Sequence, residues 1–132
     1  MTRKAAREAL ATLFAGQGFT TVNAFLPLTL GGTTKVLNIY TRASSLAVHS
    51  RDLKKDFHFF ILDVLVFRRG TVADEDDLDT LHDTVSTICK ANPTNAAWEH
   101  LELDEDSEAR FVQDAGTQYR LERHKVKVKL TG

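Results

Sequence analysis

One cysteine, Cys89, stands in the 132 residues, so no intramolecular disulfide can form, and its place on the apolar side of an expected helix suits burial as a small hydrophobe. No apolar run approaches the ~20 residues of a membrane helix. The opening Thr2-Arg3-Lys4-Ala5-Ala6-Arg7 leads into an amphipathic segment rather than the apolar centre of an export signal. The expectation is therefore no membrane span, no export signal and a reducing folding compartment. Internal repeats and low-complexity segments are also missing.

Recognisable chemistry is equally scarce. Neither GxxxxGK(S/T) nor GxGxxG occurs, and Gly31-Gly32-Thr33-Thr34 reads as a hairpin turn rather than a phosphate loop. His49, His58, His82, His100 and His124 are scattered without the spacing of a zinc site. His82 lies on the inner stripe of a helix, where a structural role outweighs that of a base. Burial of Cys89 raises its thiol pKa and removes its nucleophilicity. These absences predict a protein that is not an enzyme and has no catalytic, cofactor or metal site.

What is present is the composition of an ordinary globular domain, 42% hydrophobic and 27% charged. A chain of this length can bury one sizeable core, so residues 1–132 are expected to form one domain. The net charge of −1 argues against a dedicated nucleic-acid binder. Its distribution is uneven. Between Ala73 and Glu108 stand Asp74, Glu75, Asp76, Asp77, Asp79, Asp83, Glu99, Glu102, Asp104, Glu105, Asp106 and Glu108 against the single base Lys90, and the other sixteen bases flank that block.

Local patterns give an order of elements. Ala6, Ala9, Leu10, Leu13 and Phe14 recur on one helical face, with Thr2 as cap and Gly16 and Gly18 as terminators. Phe19 to Phe25 suggests a short strand that Pro27 confines to an edge or a loop. Thr34 to Arg42 predicts a strand with Val36, Asn38 and Tyr40 opposite Leu37 and Ile39. The polar stretch Ala43 to Asp56 reads as an exposed loop or protruding hairpin.

Phe57 to Arg68 is the strongest strand, with Phe57, Phe59, Ile61, Leu65 and Phe67 on one face and Phe60, Leu62, Val64 and Val66 on the other. Such a strand requires cover on both sides, and one face is expected to meet a neighbouring subunit. Asp74 to Asp77 opens a second helix whose inner stripe is Leu78, Leu81, His82, Val85, Ile88 and Cys89, ended by Asn92-Pro93. Strands follow near Trp98 to Leu103, Arg110 to Gln113 and Gln118 to Leu130, with a turn at Asp114-Ala115-Gly116. In the last strand Tyr119 and Leu121 share one parity while Val126, Val128 and Leu130 take the other, which a bulge or strong twist near Glu122 to His124 would reconcile. The fold class is α+β, a mixed or mostly antiparallel sheet against two helices.

Asp63 interrupts the apolar strand and needs a partner. An arginine or lysine of an adjacent strand is the expected one, with a subunit-interface ion pair as the alternative. Arg123, Lys125, Lys127 and Lys129 line one face of the last strand without interleaved aromatics, which suits a solvated edge better than a phosphate track. The acidic block of one copy can also meet the basic strand or loop of the next in a heterologous contact that closes a ring. The candidate subunit or tube interface is Arg42, Arg51, Lys54, Lys55, Asp63, Arg68, Arg69, Asp76, Asp77, Lys125 and Lys127.

This order of elements resembles the tail-terminator proteins of long-tailed phages over nearly the whole chain. The residues that carry the resemblance are Val36-Leu37-Asn38-Ile39-Tyr40-Thr41, the strand Phe57 to Phe67, Asp76-Asp77-Leu78-Asp79 and Gly116-Thr117-Gln118-Tyr119-Arg120-Leu121. The resemblance implies a homohexameric ring on the head-proximal end of the tail tube that stops tube growth and meets the head-tail connector, the genome passing through it. It implies no enzymatic activity and a place in the virion neck, after assembly in the host cytoplasm. Neck and tail-completion proteins share this size and pattern, and a small cytosolic binding or regulatory domain, homodimeric or not, is the alternative of another class.

Overall fold

The computed structural model describes residues 2–45 and 57–131. Helix α1 (Arg3–Phe14) begins where the Thr2 hydroxyl accepts the Ala5 N–H, and it buries Ala6, Leu10 and Phe14. Three strands follow: β1 (Thr21–Asn23), β2 (Val36–Ser45) and β3 (Phe57–Phe67). After helix α2 (Val72–Ala91) come β4 (Trp98–Leu103), β5 (Glu108–Asp114) and β6 (Thr117–Leu130). The sheet runs β1-β2-β3-β6-β4, and β5 lies beside the other half of the same β6 edge. Only β1 pairs in parallel, so the sheet is mixed and mostly antiparallel, as the sequence predicts.

Both helices pack on one face of this sheet. Leu37 and Ile39 of β2, Phe60, Leu62, Val64 and Val66 of β3 and Val126 and Val128 of β6 join Leu10, Phe14, Leu78, Leu81, Val85 and Cys89 in the main core. Trp98 closes it at the β4 end, its indole N–H donating to the Asn92 carbonyl. The opposite face holds a smaller cluster of Val36, Leu65, Tyr119 and Leu121, flanked by Leu30, Phe67 and Val112.

This arrangement removes the bulge alternative and carries one strand beyond its expected end. β6 pairs with β3 in unbroken register from Tyr119 to Lys129, so no bulge interrupts that pairing at Glu122 to His124. The parity change marks where the strand's apolar side chains stop serving the small cluster and begin serving the main core. β2 runs past Arg42 into the polar stretch, where Ala43, Ser44 and Ser45 pair with Phe59, His58 and Phe57 beyond a register shift between Thr41 and Ala43, as the hairpin alternative has it. The partners' needs decide that pairing, since β3 would otherwise leave backbone donors unmatched. The rest of that segment, including Arg51, Lys54 and Lys55, lies outside the described residues.

Helix α2 starts at the N-cap Thr71, and the Asp74 carboxylate turns back to accept the N–H groups of Arg69 and Gly70. The acidic helix start is thus partly structural, for Asp74 is buried while Asp76, Asp79 and Asp83 project outward. The β5–β6 hairpin turns through Ala115 (φ 48°) and Gly116 (φ 86°), the two positive φ angles of a tight two-residue turn. Alanine is strained there, so Ala115→Asn is expected to stabilise the protein by about 0.5–1 kcal/mol in denaturant unfolding; a lower midpoint would contradict this turn geometry.

Candidate functional site

The sheet face that carries no helix divides into an apolar half and a cationic half. Leu65, Phe67, Tyr119 and Leu121 make the first, with Phe67 and Tyr119 in ring contact at 5.5 Å. In the second, the register sets Phe57, Phe59 and Ile61 beside Lys129, Lys127 and Lys125. The Lys127 ammonium lies 4.2 Å from the Phe57 ring centre and the Arg42 guanidinium 5.1 Å from that of Phe59. Cations so placed shield aromatic rings with their stems while keeping charge at the surface. Lys129 is paired with Glu99 at 2.7 Å, whereas Arg42, Lys125 and Lys127 form no ion pair among the described residues.

Between the two halves lies Asp63, with its side chain only 3% exposed. It accepts Arg123 Nε at 2.8 Å and Nη2 at 3.1 Å, and the Tyr40 hydroxyl donates to it at 2.7 Å. The bidentate fork and the phenol supply three donors, which meets the requirement of a carboxylate removed from water. Burial and the bond to Asp63 push the Tyr40 hydroxyl up to about 12, so it stays a donor at any physiological pH. Asp63 therefore has its partner on the adjacent strand, as the sequence favours.

Where β6 changes neighbour, from β4 at Val126 to β5 at Arg123, its edge is open except for the Asp104 N–H bonded to the Lys125 carbonyl. A groove of about 720 Å³ occupies this gap, with Arg42, Phe59, Lys125 and Lys127 among its lining residues together with Glu102 and Asp104. The outer side of α2 is the counterpart. Asp76, Asp79 and Asp83 fall at i, i+3, i+7 on its exposed face, so the outer face of α2 carries charge opposite to that of Arg42, Lys125 and Lys127. Asp77 lies nearer the sheet, 3.9 Å from Lys35.

Two further features complete the surface. Phe111, 58% exposed, is covered by the guanidinium groups of Arg68 at 4.1 Å and Arg120 at 4.9 Å, and Arg120 is paired with Glu75. Arg69 stands over Phe67 at 5.4 Å. The loop after β1 exposes Phe25, Leu26 and Leu28, an apolar tip of the kind that marks contact surfaces.

On the helical side His82 of α2 meets Glu122 and His124 of β6. His82 Nδ1 is 3.2 Å from one Glu122 oxygen, His124 Nε2 3.5 Å from the other, and the Ser107 hydroxyl donates to the carboxylate at 2.8 Å. Burial would raise the Glu122 pKa, but His124, Ser107 and the charge of both imidazoles outweigh it and hold the carboxyl at about 2. His82 is half exposed rather than fully turned to the core. Cys89 is buried and its thiol is pushed up to about 12 by that burial, so it is protonated.

No family model and no curated protein matches the chain. Among solved structures it is similar to a chain of the virion of a native gene transfer agent (GTA) particle, with a TM-score of 0.58 over 98% of this chain and 95% of that one. The likeness is one of fold. At 17% identity it extends across nearly the full length of both chains. Among the described residues no helix is long and apolar enough to cross a membrane.

The residues singled out in the sequence thus separate into groups. Arg42, Lys125 and Lys127 come together on the cationic half-face, with Asp63 at its inner border. Arg68 and Arg69 lie past the far end of β3, and Asp76 and Asp77 lie on α2. Sequence reasoning missed the cage around Phe111, the apolar tip at Phe25 to Leu28 and the union of His82 with Glu122 and His124. Only the last had a local trace, the i, i+2 spacing that puts Glu122 and His124 on one face of a strand.

Removing the Asp63 carboxylate leaves the Arg123 fork without its acceptor. Because the Arg123 side chain is still 25% exposed, Asp63→Ala is expected to cost about 2–3 kcal/mol, below the full penalty of a wholly buried pair. Urea unfolding measures it, and an unchanged midpoint would show that the pair contributes nothing net.

Proposed function

We propose that this chain is a structural subunit of a phage-like particle, without enzymatic activity, whose copies associate into a ring at the head-proximal end of the tail tube. The ring ends tube growth and offers its other surface to the head-tail connector. The observation that carries this reading is the likeness, over 98% of the chain, to a chain of the GTA virion. The resemblance of its strand and helix order to tail terminators adds the tube-capping role to that coarser reading of a virion component.

The distribution of charge supplies a way to associate. A ring needs a heterologous contact, in which one surface of a copy meets a different surface of the next. The cations Arg42, Lys125 and Lys127 and the carboxylates Asp76, Asp79 and Asp83 lie on opposite sides of the sheet, which suits head-to-tail packing and steers the encounter. The apolar tip at Phe25 to Leu28 and the caged Phe111 add surface that gains from exclusion of water.

Native mass spectrometry across a range of concentrations, with and without tail tubes, tests the proposal. A closed oligomer that binds tube ends is expected. Replacing Lys125 and Lys127 by glutamate should weaken assembly at least about tenfold, as loss of paired charges does at other interfaces, and adding Asp76→Lys and Asp79→Lys should restore it. A strictly monomeric protein that never binds tubes would overturn the proposal; assembly indifferent to both sets of changes would remove the charged faces from it.

A further inference from the structure

The meeting of His82, Glu122 and His124 has no role in the association surfaces described above. It joins the middle of α2 to β6 on the helical side of the sheet, and one donor atom from each of the three, a ring nitrogen of His82, a Glu122 oxygen and a ring nitrogen of His124, lies within 4.8 Å of the others. We infer that these three side chains bind a zinc-class divalent ion.

The first ground is geometric. Zinc bonds of about 2.0–2.2 Å to nitrogen and oxygen put tetrahedral donors roughly 3.3–3.5 Å apart. The contacts of 3.2 Å and 3.5 Å run from the two imidazoles to different oxygens of the Glu122 carboxylate, so each nitrogen already lies at about that spacing from one carboxylate oxygen. A rotation of the half-exposed His82 would bring its ring nitrogen to the same centre as His124.

The second ground is an unmet need. The His124 side chain is only 3% exposed, and among the described residues its Nε2 makes no hydrogen bond, only the longer 3.5 Å contact to a Glu122 oxygen. A buried polar atom of this kind costs free energy unless something binds it. His124 and His82 line a small cavity of about 190 Å³, with Ser86, Lys90, Asp104, Glu105 and Ser107 among its other walls. That volume exceeds the ~30 Å³ share of a water molecule, so it has room for a water as the fourth ligand. Lys90 brings an opposing charge to the rim, which Asp104 and Glu105 offset.

The donor set selects the ion. Two imidazoles and one carboxylate suit zinc, cobalt or nickel, whereas magnesium and calcium require oxygen ligands throughout. Glu122 is oriented by the Ser107 hydroxyl, the outer support that a ligating carboxylate commonly has. Each imidazole binds through a ring lone pair, so any proton on that nitrogen passes to solvent. The bound ion would tie α2 to β6.

The test uses the full chain stripped with EDTA and dialysed, then titrated with zinc by calorimetry and with cobalt by visible spectroscopy. Expected are one equivalent of zinc, a raised melting temperature, and a cobalt d–d band of tetrahedral intensity, with no such response to magnesium. His124 is buried, so His82→Ala and Glu122→Gln are the diagnostic variants, each checked for its fold by circular dichroism. Both should lose the stoichiometric site and the cobalt band, while Ser107→Ala should weaken zinc about tenfold. Folded wild-type protein that binds no zinc, or folded variants that bind it as the wild type does, would overturn the inference.

Discussion

A strand with apolar side chains on both faces must be covered twice, and most of this structure follows from how β3 meets that requirement. The helices α1 and α2 cover the side of Phe60, Leu62, Val64 and Val66. On the other side Leu65 and Phe67 are covered by Leu30, Val112 and the rings and chains of β6. Phe57 and Phe59 receive a weaker cover, made of cationic side chains lying over their rings. The free energy of burying an aromatic ring is only partly realised under such a cover. A second protein surface would complete it.

Asp63 stands at the border between the well-covered and poorly covered halves. Held by Arg123 and Tyr40, it ties β2, β3 and β6 together on that face. The same pairing draws Arg123 away from the cationic group, so the exposed positive charge is that of Arg42, Lys125 and Lys127. On the helical side Asp76, Asp79 and Asp83 of α2 point outward because its apolar stripe is committed to the core. The opposition of this acidic helix face to Arg42, Lys125 and Lys127 is thus a consequence of packing as well as of composition.

Much of this was legible in the sequence where the signal was local. The helical stripes, the two-faced strand, the turn at Ala115-Gly116 and the need of Asp63 for a cationic neighbour each follow from spacing or burial. Val126 and Val128 were read with the right parity, but the change of parity within β6 suggests a bulge until one knows that the opposite face has a cluster of its own. Ala43 to Ser45 look like loop because their strand character comes from β3. His82 and Glu122, forty residues apart, meet only because α2 lies across β6. No spacing rule anticipates that contact, and the same holds for the sharing of one β6 edge by β4 and β5.

On the proposed function, the cationic half of the helix-free sheet face is completed by association. Hydrogen–deuterium exchange on the full chain, compared between dilute protein and protein bound to tail tubes, measures this at the backbone. Added protection is predicted in Phe57 to Ile61 and Lys125 to Lys129, together with the outer turns of α2. Protection that leaves those strands unchanged while the protein is demonstrably bound would contradict the account.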